Sequence, residues 1–124
     1  MSMFDRRTLL TVLTMLPVAG AAHGHHGWSW AEDVVFELTG VIKSAQLGNP
    51  HGILKVVNKE AEEWTVEVGQ PWRNARAGLK DSMLVKGVEI TAHGNRANDQ
   101  KLNVMKASRI TIKGQVYNLY PERD

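Results

Sequence analysis

The chain is predicted to fold as an all-β domain with one short helix, a small five- to six-stranded antiparallel OB-like barrel. Three observations point there. Apolar and polar residues alternate with period two in short runs; glycine, asparagine and proline punctuate those runs; and the alternation lapses once, between Pro71 and Leu84. Three strands, a helix and two or three further strands is the element order of an OB-type barrel. An SH3-like or other small barrel is the alternative, because sequence does not fix which strands pair.

The first strand is expected from Val34, where Phe36, Leu38 and Ile42 alternate with Glu37, Thr39 and Lys43. Gly48-Asn49-Pro50 turns the chain into a second strand, Ile53 to Val57. The polar stretch Asn58 to Glu63 separates it from a third, in which Trp64, Val66 and Val68 share a face. Arg73, Ala75, Arg76, Ala77 and Leu79 suit a short helix that Gly78 breaks. Strands resume with Val88, Ile90 and Ala92 facing one way and His93 facing solvent. A polar turn from Gly94 to Lys101 leads to Val104–Ile112, and Lys113-Gly114-Gln115 leads to a final strand at Val116 to Leu119. Phe36, Leu38, Ile42, Trp64, Val66, Ile90 and Ile110 are the expected core, and burial is the expected fate of the tryptophans Trp28, Trp30, Trp64 and Trp72, the first two pinning the leader to the barrel.

Residues 1–22 differ in composition from the rest. Arg6-Arg7 stands in a short charged start, Leu9 to Leu16 is apolar with threonines, and Pro17 precedes Ala19-Gly20-Ala21-Ala22. That order describes a cleaved export signal, read by the Sec or the twin-arginine route. The apolar part falls short of the ~20 residues that span a bilayer, so no permanent membrane anchor is expected. Cleavage after Ala21 or Ala22 starts the mature chain at Ala22 or His23 and places it in the periplasm. Residues 23–33 then form a leader rich in histidine and tryptophan, and 34–124 the barrel.

Composition limits the chemistry. With no cysteine there is no disulfide, thiolate nucleophile or cysteine-held metal. Fifteen lysines and arginines against 13 carboxylates leave a net charge of +2, too small an excess for the basic face of a nucleic-acid binder. No phosphate loop and no Gly-x-Ser-x-Gly elbow is present, so a non-enzymatic role is expected. Glu60, Glu62 and Glu63 read as a solvated turn, and Arg73 and Arg76 as exposed helix arginines.

The densest chemical signal is His23-Gly24-His25-His26-Gly27-Trp28. Imidazole suits copper, zinc and nickel. If His23 is first, its amine, its ring and His25 can reach one Cu(II) or Ni(II); if Ala22 is first, the amine followed by His23 still binds copper, in a different arrangement. The plainer reading is a polar leader that keeps the cleavage site accessible. His51, after Asn49-Pro50, stands where a side chain can project from a barrel rim, and it is the candidate ligand from the barrel itself. The expected metal set is therefore His23, His25, His26 and His51, with copper as the cofactor. The expected partners are the metal ion and a periplasmic or membrane-bound protein.

His25-His26-Gly27-Trp28, Leu38-Thr39-Gly40-Val41-Ile42, Asn49-Pro50-His51-Gly52, Arg76-Ala77-Gly78-Leu79 and Arg109-Ile110-Thr111 occur in an order that resembles a family of small exported bacterial proteins known only as a domain of unknown function. The resemblance covers nearly all of the mature chain. It implies a periplasmic β-barrel and points to His25, His26, Trp28 and His51, without supplying a reaction. Where that family often has Pro-Gly-Asp before the fourth strand, this chain has Lys86-Gly87-Val88. In fold and residue types the chain is also similar to periplasmic OB-fold copper carriers, whose ligand spacing it does not reproduce. The leading expectation is a metal carrier or buffer; the alternative is a module that binds a protein or small ligand without metal.

Overall fold

The computed structural model describes residues 28–123. Among these, six strands, one α-helix and two 3-10 turns follow one another: β1 (Ala31–Gln46), β2 (Ile53–Asn58), β3 (Glu63–Glu67), α1 (Pro71–Ala77), a turn at Asp81–Met83, β4 (Glu89–Ala97), β5 (Val104–Ile112), β6 (Gln115–Asn118) and a turn at Pro121–Arg123. Their order in the sheet is β3-β2-β1-β4-β5-β6, and β3 also pairs with β5. That last pairing closes five strands into a barrel and leaves β6 as an extra strand on β5. The β3–β5 pairing is parallel, Thr65 to Val104 and Glu67 to Lys106, whereas the other pairings of these strands are antiparallel. The barrel is therefore mixed, and its connectivity is that of the OB type.

β1 starts at Ala31, ahead of the expected boundary at Val34, and has two neighbours. Its first part pairs with β4, from Ala31 opposite Ala97 to Val41 opposite Glu89, and its second with β2, from Gly40 opposite Asn58 to Gln46 opposite Ile53. Gly40 belongs to both pairings. A side chain there would strike the Val57 carbonyl and the Val56 side chain, so only glycine lets β1 lie this close to β2 where it passes to β4. The register of β1 against β2 shifts between Ile42 and Ser44, the kind of irregularity that bends a strand around a barrel.

The core lies inside the barrel, where Leu38, Ile42, Leu54, Val56, Trp64, Val66, Ile90, Met105 and Ile110 are buried. Of the expected core, Phe36 is half-buried instead, stacked on Trp64 with ring centroids 5.0 Å apart. Trp72 also departs from expectation. It is 53% exposed on α1, a short helix on which only Asn74 is buried.

Asn74 explains how α1 attaches. Its amide accepts from the Gly69 N–H and donates to the Gly69 carbonyl, each at 3.0 Å, so one buried side chain satisfies both backbone groups of the loop after β3. Replacing Asn74 by Ala should orphan the Gly69 N–H, while the Gly69 carbonyl keeps the Gly52 N–H at 3.2 Å, and should destabilise the fold by about 1–3 kcal/mol in denaturant unfolding. A loss of only a few tenths would mean the loop is held by something else.

The polar stretch from Gly94 is not all turn. β4 continues through it to Ala97, because the register of β5 shifts between the His93–Arg109 and Gly94–Ala107 pairs. Ser108 is the extra residue of that bulge. A side chain at Gly94 would collide with the Lys106 carbonyl, so the close approach of the two strands requires glycine. His93, expected to face solvent, is half-buried with Nδ1 3.4 Å from Glu37 Oε2.

Candidate functional site

Of the expected metal ligands, His51 lies within the described residues. His23, His25 and His26 lie outside them. His51 precedes the Gly52–Val68 backbone bond, 2.9 Å from Val68 N to Gly52 O, which extends the β2–β3 ladder past its last strand pair, Ile53 and Glu67. It stands at the open end of that hairpin, beside the end of β3. There its Nδ1 is 3.3 Å from Glu67 Oε2, and the imidazole is 23% exposed.

The same carboxylate oxygen accepts a 2.7 Å hydrogen bond from Lys106 Nζ. Lys106 is 1% exposed, the largest fully buried side chain of the barrel. Its position follows from the bulge. Lys106 lies on the face of β5 opposite Met105 and Ala107, which belong to the core. That outer face is covered because the bulged Ser108 offers its carbonyl to the backbone N–H groups of Leu119 and Tyr120, at 2.8 and 3.3 Å. These bonds draw the C-terminal segment onto the barrel and set the Tyr120 ring 5.5 Å from Lys106 Nζ. Arg73 of α1 stacks over the same ring at 4.1 Å and donates to the Leu119 carbonyl and to Glu122. Arg73 is thus a clamp between α1 and the C-terminus, not the free helix arginine expected.

Burial pushes the Lys106 ammonium below its usual range, and Arg73 and Arg123 push the same way; the hydrogen bond and charge of Glu67 oppose them. The unfolded chain then holds this proton more tightly than the folded one, so the stability owed to Lys106 rises with pH up to the ordinary lysine value of 10.5. Tyr120 is shifted upward, chiefly by burial, and so keeps its phenol proton beside the pair. Chemically the site is an imidazole set against a carboxylate that a buried ammonium fixes in place. Glu67, Lys106, Tyr120 and Arg73 are not legible as a site in the sequence, since Glu67 and Arg73 lie far from Lys106 and Tyr120 in the chain and each reads locally as an ordinary strand, helix or loop residue. The parallel β3–β5 pairing, which sets Glu67 opposite Lys106, is what joins them.

Among the described residues, no group of three or more His, Cys, Asp or Glu side chains is placed to hold a metal ion. None of their helices is long and apolar enough to cross a membrane.

The described residues thus define a small OB-like barrel with a histidine–carboxylate–lysine cluster at its rim. The chain belongs to the DUF6152 family, a family of unknown function whose model matches residues 12–105. No curated protein matches it in sequence. Among solved structures it is similar to the ZRD-deleted mutant of TiaS in complex with agmatine, with 13% identity and a TM-score of 0.50 over 68% of this chain and 26% of that one. It is also similar to TiaS in its complex with a transfer RNA and ATP, with 15% identity and a TM-score of 0.47 over 63% of this chain and 18% of that one. The chain spans little more than a quarter of the first of these, and at such identity the likeness is one of fold alone.

Proposed function

We propose that this protein is an exported, non-enzymatic metal-binding module of the periplasm that carries or buffers copper, with His51 as the ligand supplied by the barrel and His23, His25 and His26 as those supplied by the leader. The observation that carries the proposal is the placement of His51 against Glu67. With its proton on Nδ1, 3.3 Å from the carboxylate, the ring would keep Nε2 as the lone-pair nitrogen, the tautomer in which metal-binding imidazoles are generally held. Glu67 is tied to Lys106, so its part is to orient the ring and not to ligate. One imidazole on a rigid rim is not a metal site, which is why the leader histidines are required. A scaffold-fixed ligand improves on a histidine peptide because less chain entropy is lost on binding.

Titration calorimetry of the mature protein with Cu(II) is expected to give one site, weakened by His51→Ala and more strongly by the pair His25→Ala and His26→Ala. Affinity should fall as pH drops through about 6.5, where imidazoles protonate. Binding no tighter than that of a generic histidine peptide would end the metal reading, and loss confined to the leader variant would end the part assigned to His51. The intact mass of protein recovered from the periplasm tests export, with a start at Ala22 or His23 expected.

A further inference from the structure

A second feature lies away from His51, toward the other end of the β2–β3 hairpin. β1, the end of β2, the Asn58–Glu62 turn and the start of β3 enclose a groove of about 810 Å³. That volume is in the range of pockets that hold an organic ligand or a short peptide. Its floor is apolar: Phe36 and Val57 are half-buried, Val41 is 43% exposed, and Trp64 stacks on Phe36 beneath. Arg96 closes the floor, with its guanidinium 4.9 Å from the Trp64 ring and 5.4 Å from the Phe36 ring. It donates to the carbonyls of Gln100 and Leu102, which hold it in place at the floor.

The rim has the opposite character. Glu37, Glu60, Glu62 and Glu89 line it, against one rim cation, Lys59. Glu62 accepts from Asn58 and Glu37 lies beside His93, while Glu60 and Glu89 are exposed and have no side-chain partner among the described residues. Four carboxylates against Lys59 and Arg96 leave the groove net negative in a chain whose net charge is +2. Beneath the floor, the indole N–H of Trp64 has no hydrogen-bond partner among the described residues although the residue is 5% exposed. A buried donor left unpaired is unfavourable, and an occupant offering an acceptor would satisfy it.

We infer that this groove docks a basic, partly apolar peptide segment of a partner protein. Aliphatic side chains would lie on Val41, Val57 and Phe36, lysine or arginine heads would meet the glutamates of the rim, and a backbone carbonyl would reach the Trp64 N–H. The groove's volume and apolar floor favour an extended peptide over a small cation, which would leave most of that floor wet. The inference does not rest on metal binding.

The test is a ¹⁵N NMR titration that follows the Trp64 indole resonance of the purified protein, assigned through Trp64→Phe. The probes are the capped hexapeptide Lys-Leu-Lys-Val-Arg-Leu, its counterpart with glutamate at the basic positions, and spermidine. The basic peptide is expected to move the Trp64 resonance saturably, the acidic one to leave it in place, and spermidine to bind at least about tenfold more weakly. The double substitution Glu60→Lys and Glu89→Lys, at exposed positions that leave the core intact, should weaken the basic peptide roughly tenfold at low salt. No response to the basic peptide, an equal response to the acidic one, spermidine binding as tightly, or indifference to the double substitution would each overturn the assignment.

Discussion

Trp64→Ala is expected to destabilise the protein by roughly 3–5 kcal/mol, the usual range for removing a buried aromatic side chain. The indole is 5% exposed, stacks on Phe36 and lies under the Arg96 guanidinium, so truncation removes a ring contact and a cation–π contact as well as apolar burial. Chemical denaturation with the slope unchanged is the measurement. A loss under about 1 kcal/mol, the size of an ordinary surface substitution, would mean that Trp64 is not in the core.

Lys106→Ala is expected to cost about 3 kcal/mol or more, for a different reason. The substitution leaves the Glu67 carboxylate, 15% exposed, without the ammonium that compensates its charge, and it opens a gap beneath Tyr120. The double variant Lys106→Met with Glu67→Gln removes both charges at nearly constant volume and should recover most of that loss, as neutral replacements of buried pairs often do. The cycle formed with the two single variants then isolates the coupling between them. If Lys106→Met and Glu67→Gln prove additive, the pair is not an energetic unit and the rim cluster has no rigid base.

These two positions also divide what is legible locally from what is not. Trp64 is legible because Trp64, Val66 and Val68 alternate with polar residues through a strand that stays regular, so period two identifies the inner face. β5 defeats the same rule. Met105 and Ala107 face the core at odd positions and Ile110 at an even one, because Ser108 is bulged and the alternation changes parity there. Lys106 accordingly reads as a solvated outer residue. Its burial depends on the C-terminal segment that Ser108 binds. Phe36 and Trp72 depart from their local reading for a related reason: an aromatic ring signals burial by its size, but a strand near the end of a barrel and a helix with a single buried residue do not surround it.

The sequence by itself determined the order of the strands along the chain, five or six in number, the place of the one helix, most of the barrel interior and the rim position of His51, since these follow from local alternation, turn residues and chain punctuation. The tertiary structure alone decided the closure of the barrel by a parallel β3–β5 pair, the passage of β1 between two neighbours at Gly40, and the meeting of His51, Glu67, Lys106 and Tyr120. Glu67 and Lys106 are 39 residues apart, and no local pattern records their contact. Their pairing is fixed by strand register across a closed sheet, a property of the whole barrel that a run of neighbouring residues does not carry.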